Sequence, residues 1–269
     1  MNDNQLLYHY TNIAGLNGII QSCKIWASDC RYLNDRQELV KALDLFLSKF
    51  EGPKREALSY AFQWHSFSRC HCVFSLSRSP QVLSQWRTYA DDGRGAAIGF
   101  KAKFLSPKSI NNPASFLVHC VYEDHDEFID GLTKRCEKEV EELTKMHQEA
   151  GAINTFWGLI DENPRPLETL YSELLRVKNP AFLEEQEARL VINVSSNQVE
   201  TRVVNGLIIP YIAHAFLDED KKSSWLSFIA PEIWLGPKCD ERNMDALQVY
   251  RQSGWSPNMG LRKYDCGYL

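Results

Sequence analysis

No apolar run in the chain approaches the roughly 18 residues that a membrane span requires, so no partner role for a membrane is expected. Positive charge is not in excess either: 30 Lys and Arg stand against 35 Asp and Glu, a formal net charge of −5. That balance excludes a broad basic surface of the kind that neutralises nucleic-acid phosphates, although a nucleic-acid substrate remains compatible with it. There is no Walker loop and no GxGxxG between a strand and a helix, so Asp92-Gly93-Arg94-Gly95 gives little support for a phosphate cradle. No repeat, low-complexity tract or flexible linker divides the sequence. The eight cysteines are scattered without a CxxC pair or a signal-peptide pattern, which predicts reduced thiols in a cytoplasmic protein. Cys70-His71-Cys72 offers three ligand types in a row, but an extended strand sends His71 to the opposite face, and no zinc is expected there.

What is present is enough apolar sequence, 44% of 269 residues, to bury one substantial core. Leu6 to Thr11 reads as a strand, followed by Asn12 as the cap of a helix carrying Leu16, Ile19 and Ile20. Lys24 to Ser28 predicts a second strand. Asn34 and Asp35 then offer caps for a helix with Leu39, Leu43 and Phe46 on one face, and a further helix covers Pro53 to Phe67. Strands are expected at Val73 to Ser77, Ala96 to Phe100, Phe116 to Tyr122, Glu184 to Val194, Gly206 to Phe216, Ile233 to Leu235 and Leu261 to Tyr264. Helical spacing marks Val82 to Tyr89, Leu167 to Val177 and Asn243 to Gln252, and the charge-rich stretch from Glu127 to Glu149 reads as one largely solvated helix. Strands and helices mix without a βαβ rhythm, so the fold class is α+β, in one domain over residues 1–269 with a helical insertion around 125–177.

Several polar residues stand where core strands end. His9 and Thr11 share one face of the first strand and need partners, because leaving them buried and unpaired costs about 1–3 kcal/mol each. Ser75, Ser77 and Arg78, followed by Trp86, Arg87 and Tyr89, join hydrogen-bond donors to aromatic faces, which suits a pyrophosphate and a stacked base; Trp86 and Tyr89 serve equally well as a core stripe. Asp35 and Glu38 read first as helix-start residues. Strand alternation puts Glu185, Glu187 and Arg189 on one face, so that Arg189 can hold Glu187 toward a cleft, where a carboxylate stabilises an oxocarbenium-like transition state.

Taken in order, YHYT, KIWAS with LNDRQE, FSLSRS with SQWRTYADDGRGAAIGF, KNPAFLEEQEARLVI and IWLGP resemble a widespread bacterial family of unknown function. The same layout is similar, more distantly, to the ADP-ribosyltransferase fold of DarT-type toxins and PARP-like enzymes. This resemblance implies a split, mixed or antiparallel β-sheet with surrounding helices, and NAD as the substrate. It implies that His9 binds the nicotinamide-side ribose, Tyr10 lends its backbone to the carboxamide, Thr11 assists, and Ser75 and Arg78 flank the dinucleotide. Glu187 would be the catalytic carboxylate with Glu185 as its competitor, and either Trp86 or Tyr89 would take the central aromatic position. ADP-ribose would pass to an unknown protein or nucleic-acid acceptor or to water, as in a bacterial toxin or anti-phage effector with a possible antitoxin partner. Two other readings stand beside this one: a metal-dependent nuclease using Asp35, Glu38, Glu185 and Glu187, and a non-catalytic interaction module.

Overall fold

The computed structural model describes residues 3–33, 36–105, 115–122, 124–204, 206–216, 228–252 and 258–267. Asn34 and Asp35, offered above as caps and as a metal ligand, lie outside these. The first signals of the sequence act locally. β1 (Leu6–Thr11) ends at Asn12, whose side-chain oxygen accepts a 2.7 Å bond from Gly15 N and starts α1 (Ile13–Ser22). This cap satisfies a donor that the first helical turn cannot bond internally. Cys23, at φ 56°, turns the chain into β2 (Lys24–Asp29). Then come α2 (Arg36–Ser48), α3 (Gly52–Ser68), β3 (Arg69–Ser77), α4 (Leu83–Tyr89), β4 (Ala96–Lys101) and β5 (Ser115–His119).

The stretch expected as one solvated helix is two, α5 (His125–Arg135) and α6 (Glu137–Ala150), broken at Cys136. Each buries a narrow apolar stripe, Ile129 and Leu132 or Val140 and Leu143, and leaves most of its other residues exposed or half-buried, as the charge-rich sequence suggested. α7 (Ile153–Glu162), which the sequence reading lacked, and α8 (Arg165–Leu174) complete this helical layer. β6 (Glu187–Ser195) starts later than expected because Pro180–Glu185 is a 3-10 turn and Gln186 is left-handed at φ 46°. β7 (Glu200–Val204), also absent from the sequence reading, precedes β8 (Leu207–Ala215), β9 (Glu232–Leu235), α9 (Arg242–Gln252) and β10 (Gly260–Lys263).

The ten strands form one mixed sheet, antiparallel except where β10 runs parallel to β9. Its stem is β5-β6-β3, with β6 paired along all nine residues of β3 from Arg69↔Ser195 to Ser77↔Glu187. That ladder occupies one edge of β3. The other edge is shared: β1 meets it through Tyr8↔Ser77, and β2 through Ser28↔Val73 and Asp29↔Cys72. The sheet therefore forks beside Phe74, Ser75 and Leu76, one arm continuing as β1-β4-β9-β10 and the other as β2-β8-β7. One face of the sheet packs Leu7, Phe74, Phe100, Leu190 and Ile192 against α1. Opposite the stem lies the core of α2, α3 and α5–α8, while Tyr8, Tyr10 and Trp86 form a smaller core under the β1 arm. All eight cysteines carry free thiols, and Cys70 and Cys72 face the α1 side while His71 faces the helical layer.

Candidate active site

The fork collects polar groups from four strands. His9, partly buried, stacks on Phe74 with ring centroids 4.1 Å apart, and its Nδ1 lies 3.0 Å from the Ser75 carbonyl oxygen. A carbonyl can only accept, so Nδ1 carries the proton and Nε2 is left as an acceptor. Burial, reinforced by the positive charge of Arg202, lowers the His9 pKa to about 4, which keeps the ring neutral near pH 7. The Ser75 side chain is partly exposed and faces the same side as Ser77. Thr11, on the His9 face, is partly exposed as well. Tyr10 points the other way, where its hydroxyl donates to the Ser79 carbonyl at 2.9 Å and accepts from Val82 N.

Glu187 opens β6 directly across β3 from Tyr8, two strands and so about 10 Å away. Its carboxylate is buried and three donors converge on one oxygen. Lys178 Nζ lies 2.6 Å, Arg189 Nη2 2.9 Å and Cys120 Sγ 3.5 Å from Oε2, and none of these contacts engages Oε1. The Glu187 backbone N–H donates to the Tyr122 hydroxyl at 2.7 Å, which fixes the start of the strand. Burial works against the charge of Glu187, but Arg189 and Lys178 outweigh it and hold the pKa at about 2. The expected pairing with Arg189 is thus present. Glu185 also bonds Lys178, but it does so from the 3-10 turn through the left-handed Gln186, not by strand alternation as the sequence suggested. The Lys178 ammonium thereby occupies the space between the two carboxylates where the nuclease reading would need a cation. Among the described residues, no group of three or more His, Cys, Asp or Glu is arranged to hold a metal.

The remaining candidates are dispersed. Arg78, exposed, donates from Nε to His119 Nδ1 at 3.3 Å, and Ser77 Oγ donates to the Glu185 carbonyl at 2.7 Å. Trp86 is fully buried, with its indole N–H on the Pro80 carbonyl at 2.9 Å and its ring stacked on Tyr264. Tyr89 is exposed at the end of α4. By alternation, the His9 side chain leaves β1 on the face opposite to Tyr8 and Glu187. A cavity of about 440 Å³ lies apart from all of this, against Tyr60, His147 and Trp157. No carboxylate or Lys or Arg lines it, whereas a second cavity of about 220 Å³ is lined by Asp29, Arg31, Arg69 and His71.

Sequence reasoning missed Lys178 and Arg202. Lys178 precedes Asn179-Pro180 in a loop with no periodicity to flag it; Arg202 sits on the unrecognised β7, though Gly206 between two β-branched runs is a hairpin signal. Residues 85–190, which span α4 through the start of β6, match a family described as "Protein of unknown function (DUF2971)". No curated protein and no solved structure matches the chain significantly.

Proposed function

We propose that this protein is an NAD-dependent enzyme on an ADP-ribosyltransferase-like split sheet, releasing nicotinamide and passing ADP-ribose to a protein or nucleic-acid acceptor or to water. The observation that carries this reading is the fork, with a neutral, positioned imidazole at its apex and an ionised carboxylate two strands away. His9 Nε2, opposite the nitrogen fixed on Ser75, is an acceptor suited to a ribose hydroxyl. Glu187 stays anionic because Lys178 and Arg189 hold Oε2, which leaves Oε1 to face positive charge growing on the ribose. In the step, the bond from the ribose anomeric carbon to the nicotinamide nitrogen breaks and its electron pair leaves with nicotinamide. An acceptor oxygen or nitrogen then bonds that carbon and loses its proton to solvent. With a pKa near 2, Glu187 acts by charge and not as a base. Trp86 and Tyr10 brace the arm that carries His9.

Purified protein incubated with labelled NAD is expected to release nicotinamide, and Glu187→Gln to lose at least about 100-fold of that rate, the usual scale of a preorganised charge. Because Glu187 is also structural, His9→Gln is measured alongside with circular dichroism of each variant. Folded variants that release nicotinamide at the wild-type rate, or a wild type that neither binds nor cleaves NAD, would sink the proposal.

A further inference from the structure

On the β2 arm of the fork, Arg202 projects from β7 onto the face of Trp26, Ser28 and Tyr211. Its Nη2 donates to Ser28 Oγ at 2.8 Å, and its guanidinium carbon lies 5.3 Å from the Trp26 ring centroid and 5.6 Å from that of Tyr211. Among the described residues no carboxylate pairs with it; the nearest on its strand, Glu200, accepts instead from the Tyr211 hydroxyl at 2.8 Å. Nε is buried without a hydrogen-bond partner. A partly buried guanidinium normally finds an anion, because desolvating it uncompensated is costly. Trp26 beside it is a large aromatic left 49% exposed. Ser28 pairs with Val73, which shares its sheet face with Ser75, Ser77 and, across β3, Glu187, so this cluster lies on the Glu187 face of the sheet.

We infer that Arg202 and Trp26 form the nucleoside diphosphate subsite of the fork, Arg202 pairing with the pyrophosphate and Trp26 stacking on the base. This rests on the proposed NAD chemistry for its biological meaning, but not for its own test. Ser28 orients the guanidinium, and Tyr211 fills the space behind it. From the sheet spacing, Ser28 stands two strands across and four residues along from Glu187 on the same face, roughly 16 Å away, within the reach of an extended dinucleotide whose other end meets Glu187. The role differs from bracing of the β7–β8 hairpin because it requires the positive charge and the exposed ring, which bracing does not.

The experiment is calorimetric titration of the full chain with ADP, with NAD and with inorganic pyrophosphate at two salt concentrations, for wild type, Arg202→Gln, Arg202→Lys and Trp26→Ala, with thermal melts as the fold control. Removing one charge-assisted bond to phosphate is expected to weaken ADP by about 10- to 100-fold in Arg202→Gln, with a shallower salt dependence and partial rescue in Arg202→Lys. Trp26→Ala is expected to weaken ADP while sparing inorganic pyrophosphate. Should Arg202→Gln misfold, Ser28→Ala, which frees the guanidinium without removing charge, must still weaken ADP. Wild-type binding of ADP that is unchanged in a folded Arg202→Gln overturns the subsite while leaving NAD cleavage open. ADP binding that depends on Arg202 without any nicotinamide release keeps the subsite and overturns the proposed reaction. Absence of ADP binding overturns the subsite outright.

Discussion

Lys178 is the residue on which the carboxylate end of the fork depends. It is fully buried between Glu185 and Glu187, and their negative charges outweigh the cost of burial and raise its pKa well above the usual lysine value. Lys178→Met would leave two buried carboxylates without their shared cation. A loss of roughly 3–5 kcal/mol in urea unfolding is expected, with part of it recovered when Glu185→Gln is added. An unchanged midpoint for the single variant would mean that the cluster is solvated and that Glu187 is not held as described. The same residue shows why part of the site is illegible locally. Arg189 lies two residues from Glu187 on the same strand face, so alternation finds it, whereas Lys178 reaches Glu187 through a loop whose path only the packed chain fixes.

At the scale of elements, the position of His9 depends on how β1 lies along β4. The strands pair from Leu6↔Lys101 to Thr11↔Ala96, and the chain enters β4 through Gly95, where an added Cβ would lie 2.2 Å from the Thr11 carbonyl oxygen. Gly95→Ala must push the end of β1 away from β4, since the Thr11 carbonyl, like that of Ala90 at 2.9 Å, is backbone and not a flexible side chain. A cost of roughly 3 kcal/mol or more in thermal or urea unfolding is expected, together with weakened NAD binding if the fork is the site. β1 and its Asn12 cap are readable because alternation and an i to i+3 cap are local patterns. The break at Cys136 is not, because α5 and α6 each carry a helical apolar stripe and their packing, α5 on α2 and α6 on α3 and α8, sets the kink between them.

For the whole molecule, the buried histidines set the response to acid. His65 and His71 are both buried, His71 stacking on Tyr171 at 3.9 Å where the sheet meets the helical layer. Burial lowers the pKa of His71 to about 4 and that of His65 well below the usual value. Both pKa values are lower in the folded state than the ~6.5 of an unfolded chain, so the neutral rings are fully compatible with folding above that value. As pH falls from about 6.5 toward 4 the unfolded state takes up protons that the native state refuses, and each ring costs up to about 1.4 kcal/mol per pH unit. Urea midpoints are expected to drop steeply across that window, and His71→Gln to flatten the profile. A midpoint constant from pH 7 to pH 4.5 would refute the burial of these rings. Glu187 adds to the loss only below about pH 4, as its carboxylate is protonated toward its folded pKa near 2.

The sequence by itself determined which segments become strands and helices over most of the chain, and that His9, Ser75 and Glu187 stand at strand positions from which polar groups can act. These follow from periodicity, capping and turn chemistry, which act over a few residues. Only the tertiary structure decided that β1 and β2 share one edge of β3, that Lys178 closes over Glu187, and that Arg202 reaches from β7 to Ser28 on β2. The physical reason is that strand pairing and buried charge compensation depend on which distant surfaces the hydrophobic core brings together, and no local pattern carries that information.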